Sequence, residues 1–330
     1  MRVREGFSGT VGHTPLIRLE SLSEATGCTI LGKAEMLNPG GSVKDRAALG
    51  MVLDAEARGA LTKGGLIVEG TAGNTGIGLC HVANARGYRC LIVMPDNVAP
   101  EKAEVLRALG AELSLVPPAP FAKPENYYHV ARRLGEERGG FWADQFENPA
   151  NFTAHYTHTG VEILEDAGPV DGFVTSAGTG GTIGGISKRL KEENPKTQCY
   201  LVDCEGSSLV GYVNEGTLAV EGSSVLEGIG IRRITKNFAE AKLDGAFLGT
   251  DREAVAMSHY LLHHDGLFIG GSGALNCVGA VKLARKLGRG ATIVTVLCDG
   301  GGRYQSRLFN PTWLTEKGFS VNHQDLSFVS

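Results

Sequence analysis

At 330 residues the chain is long for a single hydrophobic core and suits two domains. A net charge of −4 leaves no electrostatic footprint for nucleic acid or an anionic membrane surface, and no apolar stretch approaches the roughly 20 residues that span a bilayer. The start Met1-Arg2-Val3-Arg4-Glu5-Gly6 is too polar for a secretory signal, and the seven cysteines are scattered, odd in number and without a CxxC pair. That usage fits free thiols in a reducing compartment, so a cytoplasmic protein with no metal site is expected.

In Asn38-Pro39-Gly40-Gly41-Ser42-Val43-Lys44-Asp45-Arg46, the Pro-Gly-Gly run reads as a turn. Ser42 is then expected as an N-cap, with Asp45 its capping-box partner ahead of Ala47, Ala48 and Leu49. That puts Lys44 in the first turn of a helix, where the dipole disfavours an ammonium and favours the neutral amine. Taken alone, a lysine there is far more often an ordinary exposed one.

Downstream, Leu66 to Glu69 reads as a buried strand that enters the loop Gly70 to Thr75, followed by a helix from Thr75 to Arg86 that stops at Gly87. A strand over Cys90 to Met94, a helix over Glu101 to Leu109 and a strand over Glu112 to Val116 come next, and the proline-rich segment Pro117 to Pro124 makes a surface excursion. The second half repeats the alternation: strand Gly172 to Thr175, helix Thr182 to Glu193, strand Cys199 to Asp203, short strand Leu267 to Ile269, and buried strand Ala291 to Leu297. Such alternation predicts α/β layering around largely parallel strands. The domains are expected to comprise residues 41–150, a smaller unit, and residues 1–40 with 151–330, a larger one.

Three glycine-rich or hydroxyl-rich turns carry chemistry. Ser176-Ala177-Gly178-Thr179-Gly180-Gly181-Thr182 joins a predicted strand to a predicted helix, where backbone N–H groups and the helix dipole can cradle a phosphate. It fits neither a dinucleotide fingerprint nor a Walker loop, and a structural glycine turn is its bland alternative. Thr71-Ala72-Gly73-Asn74-Thr75 offers hydroxyls, an amide and N–H groups to a carboxylate, or simple capping by Asn74 or Thr75. Gly270-Gly271-Ser272-Gly273 presents a serine that could face an unprotonated ring nitrogen, or merely cap a helix. His263-His264-Asp265 looks like a metal cluster, but adjacent residues at a helix end do not converge on an ion.

Taken in order, these motifs resemble the cysteine synthases (O-acetylserine sulfhydrylases) and the related cystathionine β-synthases, fold-type II pyridoxal-phosphate enzymes. The likeness begins at Gly12-His13-Thr14-Pro15-Leu16 and runs through Asn38 to Arg46, Thr71 to Gly78, Gln145 to Pro149, His155-Tyr156 and Thr159 to Ile163. It continues through Gly178 to Thr182 and Glu227 to Gly230, ending near Arg303-Tyr304. The resemblance implies a tryptophan synthase β-like fold of two three-layer αβα domains, with the smaller one mobile. It makes Lys44 both the lysine that carries pyridoxal 5′-phosphate and the base at Cα. Asn74 would bond the cofactor's ring oxygen, Gly178, Thr179, Gly180, Gly181 and Thr182 would hold its phosphate, and Ser272 would face its pyridine nitrogen. Thr71, Ala72, Asn74, Thr75 and Gln145 would receive the amino acid's α-carboxylate.

The implied reaction forms L-cysteine from O-acetylserine and sulfide through an aminoacrylate. Serine with homocysteine, O-phosphoserine as donor, and cysteine desulfuration are variants of the same chemistry. A homodimer is implied, with the C-terminal tail of serine acetyltransferase as a possible partner. A catalytically silent partner of that acetyltransferase or a nicotinamide-dependent oxidoreductase would be readings of another class; the intact Lys44 argues against the first, and the second leaves Lys44 and Asn74 unexplained. Three departures from the family pattern stand out: Ala72 where a serine is common, Asp299 in Cys298-Asp299-Gly300-Gly301, an acid that could approach the pyridine edge, and the proline-rich segment Pro117 to Pro124.

Overall fold

The computed structural model describes residues 3–71, 73–97, 100–321 and 324–330. Its strands are β1 (Leu16–Arg18), β2 (Thr29–Lys33), β3 (Leu66–Gly70), β4 (Arg89–Pro95), β5 (Glu112–Val116), β6 (Phe141–Trp142), β7 (Gly172–Thr175), β8 (Gln198–Cys204), β9 (Gly245–Gly249) and β10 (Thr292–Val296). They form two sheets, ordered β5-β4-β3-β6 and β1-β2-β10-β7-β8-β9. Every neighbouring pair is parallel except β1 with β2. Two compact units result, Met1–Gly12 with Asn38–Ala154 and His13–Leu37 with His155–Ser330. Residues 3–12 group with the four-stranded sheet.

In the first unit the pleat sorts a continuous apolar run onto two faces. Leu66 and Val68 of β3 and Leu91 and Val93 of β4 pack on Val130 and Ala131 of the helix Tyr127–Glu137. Ile67, Cys90, Ile92 and Met94 point the other way, into a cluster with Ala47, Ala48 and Met51 of the helix Lys44–Ala57 and Leu79 and Val82 of the helix Asn74–Arg86. Helices thus cover both faces of the sheet. Gly87, at φ 77°, ends the second of these helices in the left-handed conformation that glycine adopts without strain.

In the second unit Val174, Val202, Ile30 and Ile293 pack on Val278 and Val281 of the helix Gly271–Leu287, backed by Met257 and Leu261 of the helix Asp251–His264. The helix Gly181–Glu193 lies against β7 and β8. Leu267 to Ile269, expected as a strand, is reduced to one bridge between Ile269 and Gly300, because the chain turns into a helix at Gly271. The proline-rich stretch from Pro117 is the expected loop, closed by Asn126, which caps the next helix by accepting the Tyr128 N–H. Among the described residues no helix is long and apolar enough to cross a membrane.

Candidate active site

The helix Lys44–Ala57 begins at Lys44 itself, behind an N-cap, Val43, that offers no side chain. The expected capping box is absent. Ser42 Oγ accepts the Lys44 N–H at 3.2 Å, while Asp45 reaches back to accept the Gly40 N–H at 2.6 Å. A Cβ on Gly40 would collide with that same carboxylate at 2.6 Å, so the turn and the helix start are fitted to each other. Lys44 is left half-buried, and among the described residues its Nζ has neither an acid nor a hydrogen-bond acceptor. An unpaired amine at the positive end of a helix is the environment a nucleophilic lysine needs.

β3 runs directly into the second element of the same unit. Asn74 and Thr75 are the first two residues of the helix Asn74–Arg86, whose N-cap is Gly73 with no side-chain cap, so neither residue caps it. Thr71 Oγ accepts the Gly73 N–H at 3.2 Å. Thr75 Oγ donates to Gln145 Oε1 at 2.6 Å, and Gln145 Nε2 donates to Glu69 Oε1 at 3.0 Å and to the Gly70 carbonyl at 3.2 Å. Asn151 Nδ2 holds the Gln145 carbonyl at 2.8 Å. Thr71, Thr75 and Gln145 are thereby gathered at one junction, together with Glu69, which sequence reasoning passed over. Ala72 lies outside the described residues. Burial and then the Asp144 charge push the Glu69 carboxyl up to about 8, so it is largely the neutral acid at pH 7.

In the second unit β7 leads through Ser176 to the helix Gly181–Glu193. Gly180, the N-cap, has φ 87° and supplies no side chain, leaving the first-turn N–H groups exposed to an anion. A Cβ on Gly178 would overlap the Gly228 carbonyl, and one on Gly180 would overlap the Phe238 backbone. Thr235 Oγ, not singled out in the sequence, donates to the Thr179 carbonyl at 2.8 Å and steadies the loop from behind. Thr182 Oγ lies 3.2 Å from His155 Nε2, and His155 Nδ1 lies 2.9 Å from Thr159 Oγ, within a π-helical turn, His155–Thr159. The donor set and the space fixed by glycine suit a phosphate ester.

Ser272 is the second residue of the helix Gly271–Leu287, not its cap, and is buried; among the described residues its hydroxyl has no partner. Asp299 is also buried, packed against Gly270, and accepts the Tyr304 Oη hydrogen bond at 2.7 Å. Burial first, then the Asp299 charge, hold the Tyr304 phenol well above its ordinary value, so it remains a donor to that acid. His263 and His264 occupy the last turn of the helix Asp251–His264, and no metal-ligating cluster occurs among the described residues.

A half-buried lysine at one helix start, a glycine-rich turn at another and two largely parallel sheets are the features expected of a pyridoxal-phosphate enzyme. Residues 7–299 match the family of pyridoxal-phosphate dependent enzymes, and the chain belongs to it. The cysteine synthase of Dictyostelium discoideum is 53% identical, over 99% of this chain and 90% of its own length. An O-acetylserine dependent cystathionine β-synthase from Helicobacter pylori superposes with a TM-score of 0.84 at 31% identity, covering 93% of this chain and 99% of that one. An O-ureido-L-serine synthase reaches 0.86 at 34% identity, covering 95% of this chain and 100% of that one. The fold is that of the fold-type II pyridoxal-phosphate enzymes.

Proposed function

We propose that this chain is a cysteine synthase, replacing the β-substituent of O-acetylserine by sulfide to give L-cysteine. The observation that carries the reading is Lys44 at the start of a helix, whose Nζ is paired with no acid among the described residues. A relative that bears the name cysteine synthase at 53% identity over 99% of the chain supports the choice of reaction. Bound pyridoxal phosphate supplies an electron sink that acidifies Cα and lets the β-substituent leave.

The chain's residues divide the remaining work. Lys44 would carry the cofactor and supply the amine that serves as general base at Cα. Backbone N–H groups from Gly178 to Gly181, with the Thr182 hydroxyl, hold the phosphate. Asn74 would hold the cofactor's ring oxygen, and the neutral Ser272 hydroxyl would be the partner of its pyridine nitrogen. Thr71, Ala72, Asn74, Thr75 and Gln145 receive the α-carboxylate. The unit of the four-stranded sheet carries that loop and is the one that moves, excluding water from the reacting centre. We further propose a cytoplasmic homodimer that takes small amino-acid substrates and sulfide or a thiol, and binds the C-terminal tail of a serine acetyltransferase.

The thiol reading rests on the Helicobacter pylori neighbour, whose title gives O-acetylserine as the donor of a cystathionine β-synthase. An absorbance scan of the holoenzyme separates the two. O-acetylserine should replace the visible band of the lysine-bound cofactor, and sulfide should restore it with release of cysteine. Restoration by homocysteine alone would transfer the chain to cystathionine synthesis. A protein with no visible band after cofactor loading would overturn both.

A further inference from the structure

Glu69 is the penultimate residue of β3, two positions before Thr71, and is fully buried. Among the described residues no cation contributes to its environment. Its oxygen Oε1 takes one Gln145 amide proton at 3.0 Å, and its Oε2 is buried with no hydrogen-bond partner. An ionised carboxylate in that position is disfavoured, because burial and the Asp144 charge outweigh the Gln145 side-chain bond and the backbone N–H groups of Gln145 and Asp144 that favour the charged form. The titratable groups around it oppose ionisation too. Asp144 supplies a like charge and accepts Tyr128 Oη at 3.1 Å, from the helix Tyr127–Glu137. On the neighbouring strand and the helix Asn74–Arg86, Cys90 and Cys80 face each other with sulfurs 3.6 Å apart, and the bond to Cys80 holds the Cys90 thiol neutral.

The Gly70 carbonyl, which can only accept, stands with Glu69 Oε1 at the Gln145 amide nitrogen, and Thr75 Oγ donates to the amide oxygen. Turned over, the amide would set its oxygen against the Gly70 carbonyl. Resting on the carboxylate-binding reading above, we propose that Glu69, carried as the neutral acid, is a positioning residue that fixes the Gln145 amide and, through it, the Thr75 hydroxyl of the carboxylate loop. Once ionised, Glu69 would set a poorly solvated negative charge behind a loop that must accept another carboxylate, and the two repel strongly at low dielectric. Substrate affinity, more than the chemical step, is therefore under its control.

The test compares the parent holoenzyme with Glu69→Gln and Glu69→Ala, measuring kcat and KM for O-acetylserine at pH values on both sides of about 8. Ratios between proteins cancel the spontaneous acyl shift of the donor. In the parent, KM should climb above that pH by up to about tenfold per unit while kcat changes little, because only the neutral fraction is competent. Glu69→Gln keeps an uncharged acceptor and should lose that climb; Glu69→Ala should show a raised KM at every pH without it. A substrate-free readout accompanies these. In the parent-minus-Glu69→Gln infrared difference, which cancels other buried acids such as Asp203, raised by burial to about 7, a protonated carboxylic acid band should be present at neutral pH and vanish on titration through about 8. An identical alkaline climb in Glu69→Gln, or no such band in the difference, overturns the proposal. Absence of cysteine formation by the parent would instead strike the cysteine synthase reading, with the infrared titration still deciding the state of Glu69.

Discussion

The loops after β7 and after β3 both carry a buried parallel strand into a helix whose N-cap has no side chain to offer. They are furnished differently. After β7 the donors are backbone N–H groups, the room is made by Gly178 and Gly180, and Thr235 anchors the Thr179 carbonyl. After β3 the donors are side chains already bonded to one another, in the chain Thr75, Gln145, Glu69. The first is a fixed receptacle suited to a group that stays, as a cofactor phosphate does. The second exchanges partners easily and suits a substrate that comes and goes, but it carries a buried acid.

That buried acid gives the largest effect by which the contrast can be broken. Because the Glu69 carboxyl rises from 4.5 to about 8 on folding, the native state keeps a proton that the unfolded chain releases. Stability should therefore fall as pH rises from about 4.5 to about 8 and level off beyond. Glu69→Gln removes that loss, and its advantage over the parent in denaturant unfolding should widen across the window by at most about 5 kcal/mol. An advantage that does not vary with pH would mean the acid is not buried as the neutral form.

On the other side of the contrast, Gly180→Ala places a methyl at φ 87° against the Phe238 backbone. The left-handed conformation alone costs about 1–2 kcal/mol, and the collision adds to it. Cofactor dissociation measured by dialysis should rise on the order of a hundredfold, with a much smaller change in the KM of the cofactor-loaded fraction. Retained cofactor would show that the cradle is not a phosphate site. Thr182→Val sharpens the point with less force: loss of one hydroxyl to a charged group costs roughly 1.5 kcal/mol, or about tenfold in cofactor affinity.

Much of this was legible in the sequence because local rules and tertiary context agreed. Glu112 to Val116 and Gly172 to Thr175 are strands to the residue, the second an apolar run buried along its whole length and the first a half-exposed edge strand. The family likeness rested on long, ordered motifs, and the matching family covers residues 7–299. What failed was chemistry with two local solutions. Asp45 could bond back to the N-cap or to the preceding turn, and the tight packing at Gly40 decided for the turn. Ile269 lacked the length to pair beyond one bridge. Glu69 was hidden inside an apolar run, although a lone acid in a strand buried on both faces is itself the signal that could have flagged it. Thr235 carried no motif at all; only the fold brings it to Thr179 across 56 positions.

The pairing of β2 with β10 has a consequence for how the molecule is made. Thr29–Lys33 lies in register with Thr292–Val296, in the interior of the larger sheet. A strand synthesised among the first has to wait for almost the last one before its ladder can close. The segment Asn38–Ala154, in contrast, is continuous and holds all four strands of its own sheet. On the ribosome the smaller unit can therefore fold while β2 has only β1 beside it, and the final closure over some 260 residues is the slow, aggregation-exposed step that a chaperone would guard.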